Sequence, residues 1–342
     1  MWPFKSHLHL IVPTLSREIV EMLLGAIQDL KNQLLEIACS KTLLDFSIYT
    51  GIAGIALSLW ETGFVAEARS IILTRWNDAL HSILNTRRKA QLITGPTGFM
   101  IVASLVLSKI SEVETKFGMA LDTSVREIIQ LCNDRSSPCE FLYGAAGGLY
   151  CVRFLRRISH QVSNIASLLN DLESQLVSKI IMEHQSGLGW PWHGEFYIGA
   201  AHGSAGILLQ LLRTPLADQD GRIRGFVAEQ VQLLITTGKY PDGGNFKSSV
   251  SCRRDRLVQW CHGAPGVALL LQEASRKRLL PSLELSRELE EALRVTSDRG
   301  LLSKWTGLCH GLAGKTGSFC WVVASDRRHI SMYVFMCNWF HQ

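Results

Sequence analysis

Along this chain, short stretches that are apolar on every side alternate with longer stretches that are apolar on one side only. Five dense runs stand out: Ile55 to Trp60, Phe99 to Leu107, Leu149 to Leu155, Ile207 to Leu212 and Val267 to Leu271. A run apolar nearly all round is the pattern of a helix buried on most sides. Between the runs lie Ser16 to Ala38, Val65 to Leu84, Ser124 to Leu131, Ser163 to Glu183, Ile223 to Ile235 and Leu283 to Val295. There the apolar residues recur at spacings of three and four with charges on the other face, which predicts amphipathic helices. Pro215, Pro241 and Pro281 fall in the connections, and alternating strand patterns are nearly absent.

A small-residue Gly-x-x-Gly element precedes each dense run: Gly51-Gly54, Gly95-Gly98, Gly144-Gly147, Gly203-Gly206 and Gly263-Gly266, with a sixth at Gly311-Gly314. One such element carries no information, but the first glycines are spaced by 44, 49, 59, 60 and 48 residues, which marks a structural repeat. Helical hairpins with a buried inner member and a half-exposed outer member close into a double-layered α/α toroid, so the fold expected is all-α. An open solenoid, in which both helices of a pair are similarly exposed, ranks second. In the toroid, glycines at the inner-helix N-termini let loops converge at one end, with free N–H groups expected to point at a cavity. The expected organisation is a short tail over 1–14 and one toroid domain over 15–342.

Composition narrows the class. In 342 residues, 47% are hydrophobic and 19% charged, which suits a folded globular chain with a sizeable core. The longest apolar run is too short to cross a bilayer, and Met1 to Val12 lacks the apolar segment of a secretory signal. The formal net charge of +5 does not argue for nucleic acid. Nine scattered cysteines are not the dense, even framework of a small secreted domain, so a reducing cytoplasmic compartment is expected. The paired basic residues, Arg156-Arg157 and Arg276-Lys277-Arg278 among them, read as solvated helix ends. A peripheral place at the plasma membrane is the alternative.

The chemistry concentrates in two repeats. Trp260-Cys261-His262-Gly263 and Leu308-Cys309-His310-Gly311 each set a Cys-His pair ahead of the Gly-x-x-Gly, 48 residues apart. Thiolate and imidazole are zinc ligands, and Cys261, Cys309 and His310 leave an open fourth position, as a catalytic zinc requires. His262 is the alternative fourth ligand. His202 stands just before the fourth Gly-x-x-Gly, equivalent to His262 and His310, and a neutral imidazole there is a candidate general acid or base. Glu140, four residues before Gly144, is a candidate rim carboxylate. Trp190-Pro191-Trp192-His193-Gly194 reads as a rigid aromatic loop, with His193 a candidate lining residue.

The two Cys-His stretches resemble the zinc motifs of the lanthionine synthetase C-like family. Tyr197-Ile198-Gly199-Ala200-Ala201-His202-Gly203 is similar to that family's fourth repeat, and Phe141 to Gly147 and Tyr49 to Ile55 resemble two others. The Cys-His-Gly form of the fifth repeat is like the eukaryotic branch. The resemblance runs from about Leu15 to Leu312. It implies a toroid of seven inner and seven outer helices with zinc at its mouth, held by Cys261, Cys309 and His310. It also implies His202 as acid/base, Glu140 as its rim carboxylate and Lys304 as a glutathione contact, with His262 beside the substrate. The implied reaction adds a thiol to the β-carbon of dehydroalanine or dehydrobutyrine. Eukaryotic members use glutathione on dehydroamino acids in proteins, so the expected partners are glutathione and a dehydroamino-acid-containing peptide or protein. The sequence departs from the family in two respects: no seventh Gly-x-x-Gly follows Gly314, so one inner helix and a C-terminal glutathione-contacting loop are expected to be missing, and the segment usual ahead of Leu15 is expected to be missing too. An open ring, insertion of the last helix or a shortened, less stable product are the alternatives. The functions that compete with thiol addition are a non-catalytic glutathione- or protein-binding module and, ranked low, a carbohydrate-processing toroid. The last would want a facing pair of carboxylates where only Glu140 is well placed.

Overall fold

The computed structural model describes residues 17–86, 91–108, 110–162, 164–187, 189–241, 244–300 and 309–310. In chain order the helices are α1 (Arg17–Cys39), α2 (Ile52–Glu61), α3 (Val65–Thr74), α4 (Trp76–Asn85), α5 (Gly98–Val106) and α6 (Glu114–Asn133). They continue with α7 (Ala145–Arg156), α8 (Ile165–Met182), α9 (Ser204–Leu212), α10 (Leu216–Gln219), α11 (Gly221–Gly238), α12 (Ala264–Arg276) and α13 (Ser282–Arg299). One short hairpin, β1 (Pro191–Trp192) and β2 (Glu195–Phe196), interrupts them.

The five dense apolar runs lie within α2, α5, α7, α9 and α12 or just overrun their ends, and these helices form the inner layer. Every residue of α5 is buried, as is every residue of α2 from Ile52 to Leu59. They neighbour one another in chain order, α2 on α5, α5 on α7, α7 on α9 and α9 on α12. The helices α3, α6, α8, α11 and α13 each back onto the inner helix that precedes them. Helix α6 buries only Ala120, Leu121, Ser124, Ile128 and Leu131, one stripe at helical spacing. Burying a Leu, Ile or Phe side chain contributes about 1.5–3 kcal/mol, against about 1 kcal/mol net for a hydrogen bond. The number of apolar faces therefore decides which layer a helix joins. The result is a double-layered α/α toroid.

The glycine repeat has a packing cause. Each incoming loop lays a backbone group against the inner helix six residues later. A Cβ at Gly144 would stand 2.0 Å from the Pro138 carbonyl oxygen, one at Gly206 2.0 Å from that of Ala200, and one at Gly266 2.1 Å from that of Trp260. The same contact satisfies first-turn N–H groups. Ile52 N–H donates to Asp45 O, Ala145 to Pro138 O and Ser204 to Tyr197 O, each seven residues upstream. These N–H groups close the loops onto the helices, so they are not the free cavity-facing donors expected from the sequence.

Three other features differ from the sequence reading. The Val65 to Leu84 stretch is two helices meeting at Arg75, which is 1% exposed. Its guanidinium turns inward and donates to the carbonyls of Ala38, Ser40 and Leu43 at 2.9, 2.7 and 2.8 Å, stapling the end of α1 to the bend. The segment around Ser124 to Leu131 extends to the full length of α6. The Trp190 to Gly194 segment is a hairpin, because His193 and Gly194 adopt φ of 49° and 79°, the paired positive values of a tight two-residue hairpin turn. No helix among the described residues is long and apolar enough to cross a membrane. The tail over 1–14, Lys304 and the chain after His310, on which the expectation of a missing seventh repeat rests, lie outside the described residues.

Candidate metal centre

The loops ahead of the inner helices are bonded to one another in sequence. Tyr49 N–H donates to Ile93 O at 2.9 Å, Thr94 Oγ1 to Leu142 O at 3.4 Å, and Phe141 N–H to Ala201 O at 3.2 Å. Gly199 then packs on the next loop so tightly that a Cβ there would lie 1.9 Å from the Cys261 carbonyl oxygen. Cys261 N–H donates to Cys309 O at 3.2 Å, and the Tyr49 hydroxyl bonds the Cys309 thiol, which returns the circuit to its start. Residues far apart in sequence therefore share one mouth.

At that mouth the candidate ligand atoms of Cys261, Cys309 and His310 all lie within 4.8 Å of one another. Cys261 is buried, Cys309 half-buried and His310 exposed, so the trio opens outward on one side. A tetrahedral zinc with Zn–S of about 2.3 Å and Zn–N of about 2.0 Å would set such atoms roughly 3.5–3.8 Å apart. The donor set therefore fits zinc with one position left for a substrate atom. Electrostatics agree. The Cys261 thiol lies 3.4 Å from Gln259 Oε1, and Cys261, Tyr49 and His310 all hydrogen-bond the Cys309 sulfur, Cys261 most strongly, which draws the Cys309 thiol well below its usual range. Cys261 is pushed far up, first by that shared hydrogen bond and then by burial. One proton leaves this pair easily, and the second leaves only when a cation compensates the charge.

Beside the trio stands a carboxylate–imidazole pair. Glu140 is 2% exposed, not a solvated rim residue. Its oxygens accept N–H groups from Leu142, at 3.0 Å, and Tyr143, and Oε2 meets His202 Nδ1 at 2.6 Å. A carboxylate already accepting two backbone N–H bonds can only accept the third, which makes Nδ1 the protonated nitrogen of neutral His202 and leaves Nε2 with a lone pair. Glu140 thus positions His202. That imidazole has two nearly parallel ring neighbours, Tyr143 at 6.1 Å and Trp192 at 5.9 Å between centroids.

His262 is not among the three candidate ligands. Its ring faces Tyr197 at 5.6 Å, and its buried Nδ1 has no hydrogen-bond partner. Burial first, then the charges of His202 and His310, disfavour its protonation, so it is a neutral group at the mouth. His193 is exposed at the hairpin turn, its ring against Trp192.

One positioning residue has no counterpart in the sequence reading. Asn245 is fully buried in the connection before the Cys261 loop. Its Oδ1 accepts Ala264 N–H at 2.9 Å, and its Nδ2 donates to Leu257 O at 2.9 Å and Asp255 Oδ1 at 2.6 Å. Asp255 is in turn gripped by both Arg299 guanidinium nitrogens, at 2.7 and 2.8 Å, so α13 also braces the loop. Gly263 completes the bend at φ of 112°, closed to other residues. Asn245→Ala strands two buried backbone groups and should cost about 2–4 kcal/mol. Thermal unfolding should show a fall of several degrees, with weaker zinc retention against a chelator. An unchanged melting temperature would refute the latch.

Comparison with known proteins places the chain. Residues 42–320 match the model of the family described as lanthionine synthetase C-like protein. Glutathione S-transferase LANCL1 of Danio rerio is 29% identical over 315 residues, covering 86% of this chain and 74% of that protein. LanC-like protein GCL1 of Arabidopsis thaliana is 28% identical over 342 residues, covering 90% of this chain and 75% of that protein. Among solved structures, nisin cyclase shares the fold at a TM-score of 0.62 and 15% identity, over 89% of this chain and 83% of that one. With a family model spanning most of its length and a fold to match, the chain belongs to the lanthionine synthetase C-like protein family.

Proposed function

We propose that this chain holds zinc on Cys261, Cys309 and His310 and adds the glutathione thiol to dehydroalanine or dehydrobutyrine residues of a peptide or protein, forming a thioether. The observation that carries this reading is the outward-facing Cys-Cys-His trio next to a His202 fixed by a buried Glu140. The printed name of the Danio rerio relative, a glutathione S-transferase, supports glutathione as the donor. The seven described cysteines are free, in keeping with the cytoplasmic compartment proposed for it.

Zinc at this position supplies a Lewis acid that favours the ionised form of an incoming thiol at neutral pH. His202 Nε2 takes the thiol proton, and Glu140 stabilises the imidazolium that results. The sulfur then bonds to the β-carbon, the π electrons of the acceptor move toward its carbonyl, and His202 returns the proton to the α-carbon. His262 Nδ1, buried and unpartnered, is proposed to take a substrate hydrogen bond, and Lys304 the glutathione carboxylate.

Purified protein should contain about one zinc per chain and convert a dehydroalanine peptide plus glutathione into the thioether, read by mass spectrometry. Zinc-free protein would overturn the metal assignment. Zinc-loaded protein without turnover above the spontaneous rate would reduce the function to binding.

A further inference from the structure

Two half-buried aromatic residues, Tyr143 and Trp192, stand beside His202 at the mouth. Trp190 has an evident packing role: it is 3% exposed, its Nε1 donates to Ile180 O, and its ring packs on His184 and Phe226. Trp192, two residues on, is only half-buried, and its ring neighbours are Tyr143, His193 and His202. Tyr143 is half-buried too, and its other parallel partner is also His202.

The three centroids are 5.7, 5.9 and 6.1 Å apart, with planes inclined by 19°, 18° and 7°. Three near-parallel rings at equal spacing cannot be a column, in which the outer pair would be twice as far apart as neighbours. They form a staggered layer with faces directed alike. The layer is held, because β2 and Tyr197 are pinned to the following loop. Val250 N–H donates to Phe196 O at 2.9 Å, Ser251 Oγ to Glu195 at 2.7 Å, and Tyr197 bridges Ser249.

We infer that Tyr143 and Trp192 are the platform on which the dehydroamino acid lies flat at the mouth. The inference rests on the dehydroamino acid reading above and names the subsite that selects this acceptor. A dehydroamino acid is planar, since its C=C is conjugated with the flanking amides, and a flat π system stacks on a parallel aromatic layer. Once sulfur is on the β-carbon and a proton on the α-carbon, the α-carbon is tetrahedral and cannot lie flat. The same surface therefore favours substrate over product and assists release.

The test needs no reaction. In the absence of thiol, binding of a dehydrobutyrine peptide is compared with that of the matched 2-aminobutyrate peptide by calorimetry. The wild-type chain should prefer the planar peptide by roughly three- to tenfold. Trp192→Leu should bind both equally, and Trp192→Phe should recover part of the preference, with zinc content and melting temperature unchanged. If Trp192→Leu proves unstable, Tyr143→Leu decides in its place. Equal wild-type binding of the two peptides, or a preference that survives removal of the ring, overturns the platform. A chain that adds glutathione without discriminating the peptides refutes the platform alone. One that discriminates them but adds no glutathione refutes only the proposed reaction.

Discussion

Cys309→Ala protein should emerge from purification without stoichiometric zinc, where the wild-type chain should carry about one ion. Three protein ligands are the minimum for a site that keeps an open position, and Cys309 is the thiol most ready to ionise, since Cys261, Tyr49 and His310 all bond to its sulfur. Apparent binding energies of structural zinc sites reach about 10–16 kcal/mol, and losing one charged ligand removes a large share of that. The substitution leaves the Cys309 carbonyl, and with it the bond from Cys261 N–H, in place. The inner layer from α2 to α12 owes its packing to apolar burial, so the melting temperature should fall far less than metal affinity does. Cys261→Ser should behave similarly, with a larger loss of stability because that side chain is buried. Metal analysis of the two variants beside wild type decides the matter. A Cys309→Ala protein that retains its zinc would exclude the trio as the ligand set.

The layering was legible because an inner helix must be apolar on every face and an outer one on a single stripe, and that difference survives in the order of residues. Ile55 to Trp60 falls inside α2, whereas α6 shows its exposed face in Glu114, Asp122 and Arg126. The equivalence of Cys261 and Cys309 was legible for a related reason. Both precede a Gly-x-x-Gly, and the glycines are forced by the loop backbone that rests on them. What the order of residues does not carry is contact between neighbouring hairpins. Glu140 has the spacing of a rim residue, but its burial against His202 follows from the bond between Phe141 N–H and Ala201 O, 60 positions apart. Asn245 belongs to no repeat, and its three partners lie 10, 12 and 19 residues away. The bend at Arg75 is set by carbonyls of a different helix end. Only the hairpin left a trace, in the His193-Gly194 pair, where glycine at the second turn position accepts a positive φ.

Glu140→Gln should lower kcat by about 10²-fold or more although the residue never touches the reacting atoms. The carboxylate accepts three N–H groups through two oxygens. An amide offers one oxygen and one donor, so one of those groups must meet an N–H instead of an acceptor. The backbone groups of Leu142 and Tyr143 are fixed by the loop, which leaves the His202 ring as the partner that changes. With the amide donating to Nδ1, the proton of neutral His202 moves to Nε2, and the nitrogen facing the reaction can no longer accept one. The imidazolium also loses its counter-charge. His202→Asn removes the group altogether and should cost about 10²–10⁴-fold in kcat. The two effects should not add, because both act through one imidazole, and the double variant should resemble His202→Asn alone. Zinc content and the KM for glutathione should stay near wild type in all three, which separates loss of proton transfer from loss of the metal site. Steady-state kinetics with a dehydroalanine peptide, run beside metal analysis, supply each of these readings. A Glu140→Gln enzyme with wild-type kcat, or a double variant worse by the product of the single effects, would show that Glu140 does not act through His202.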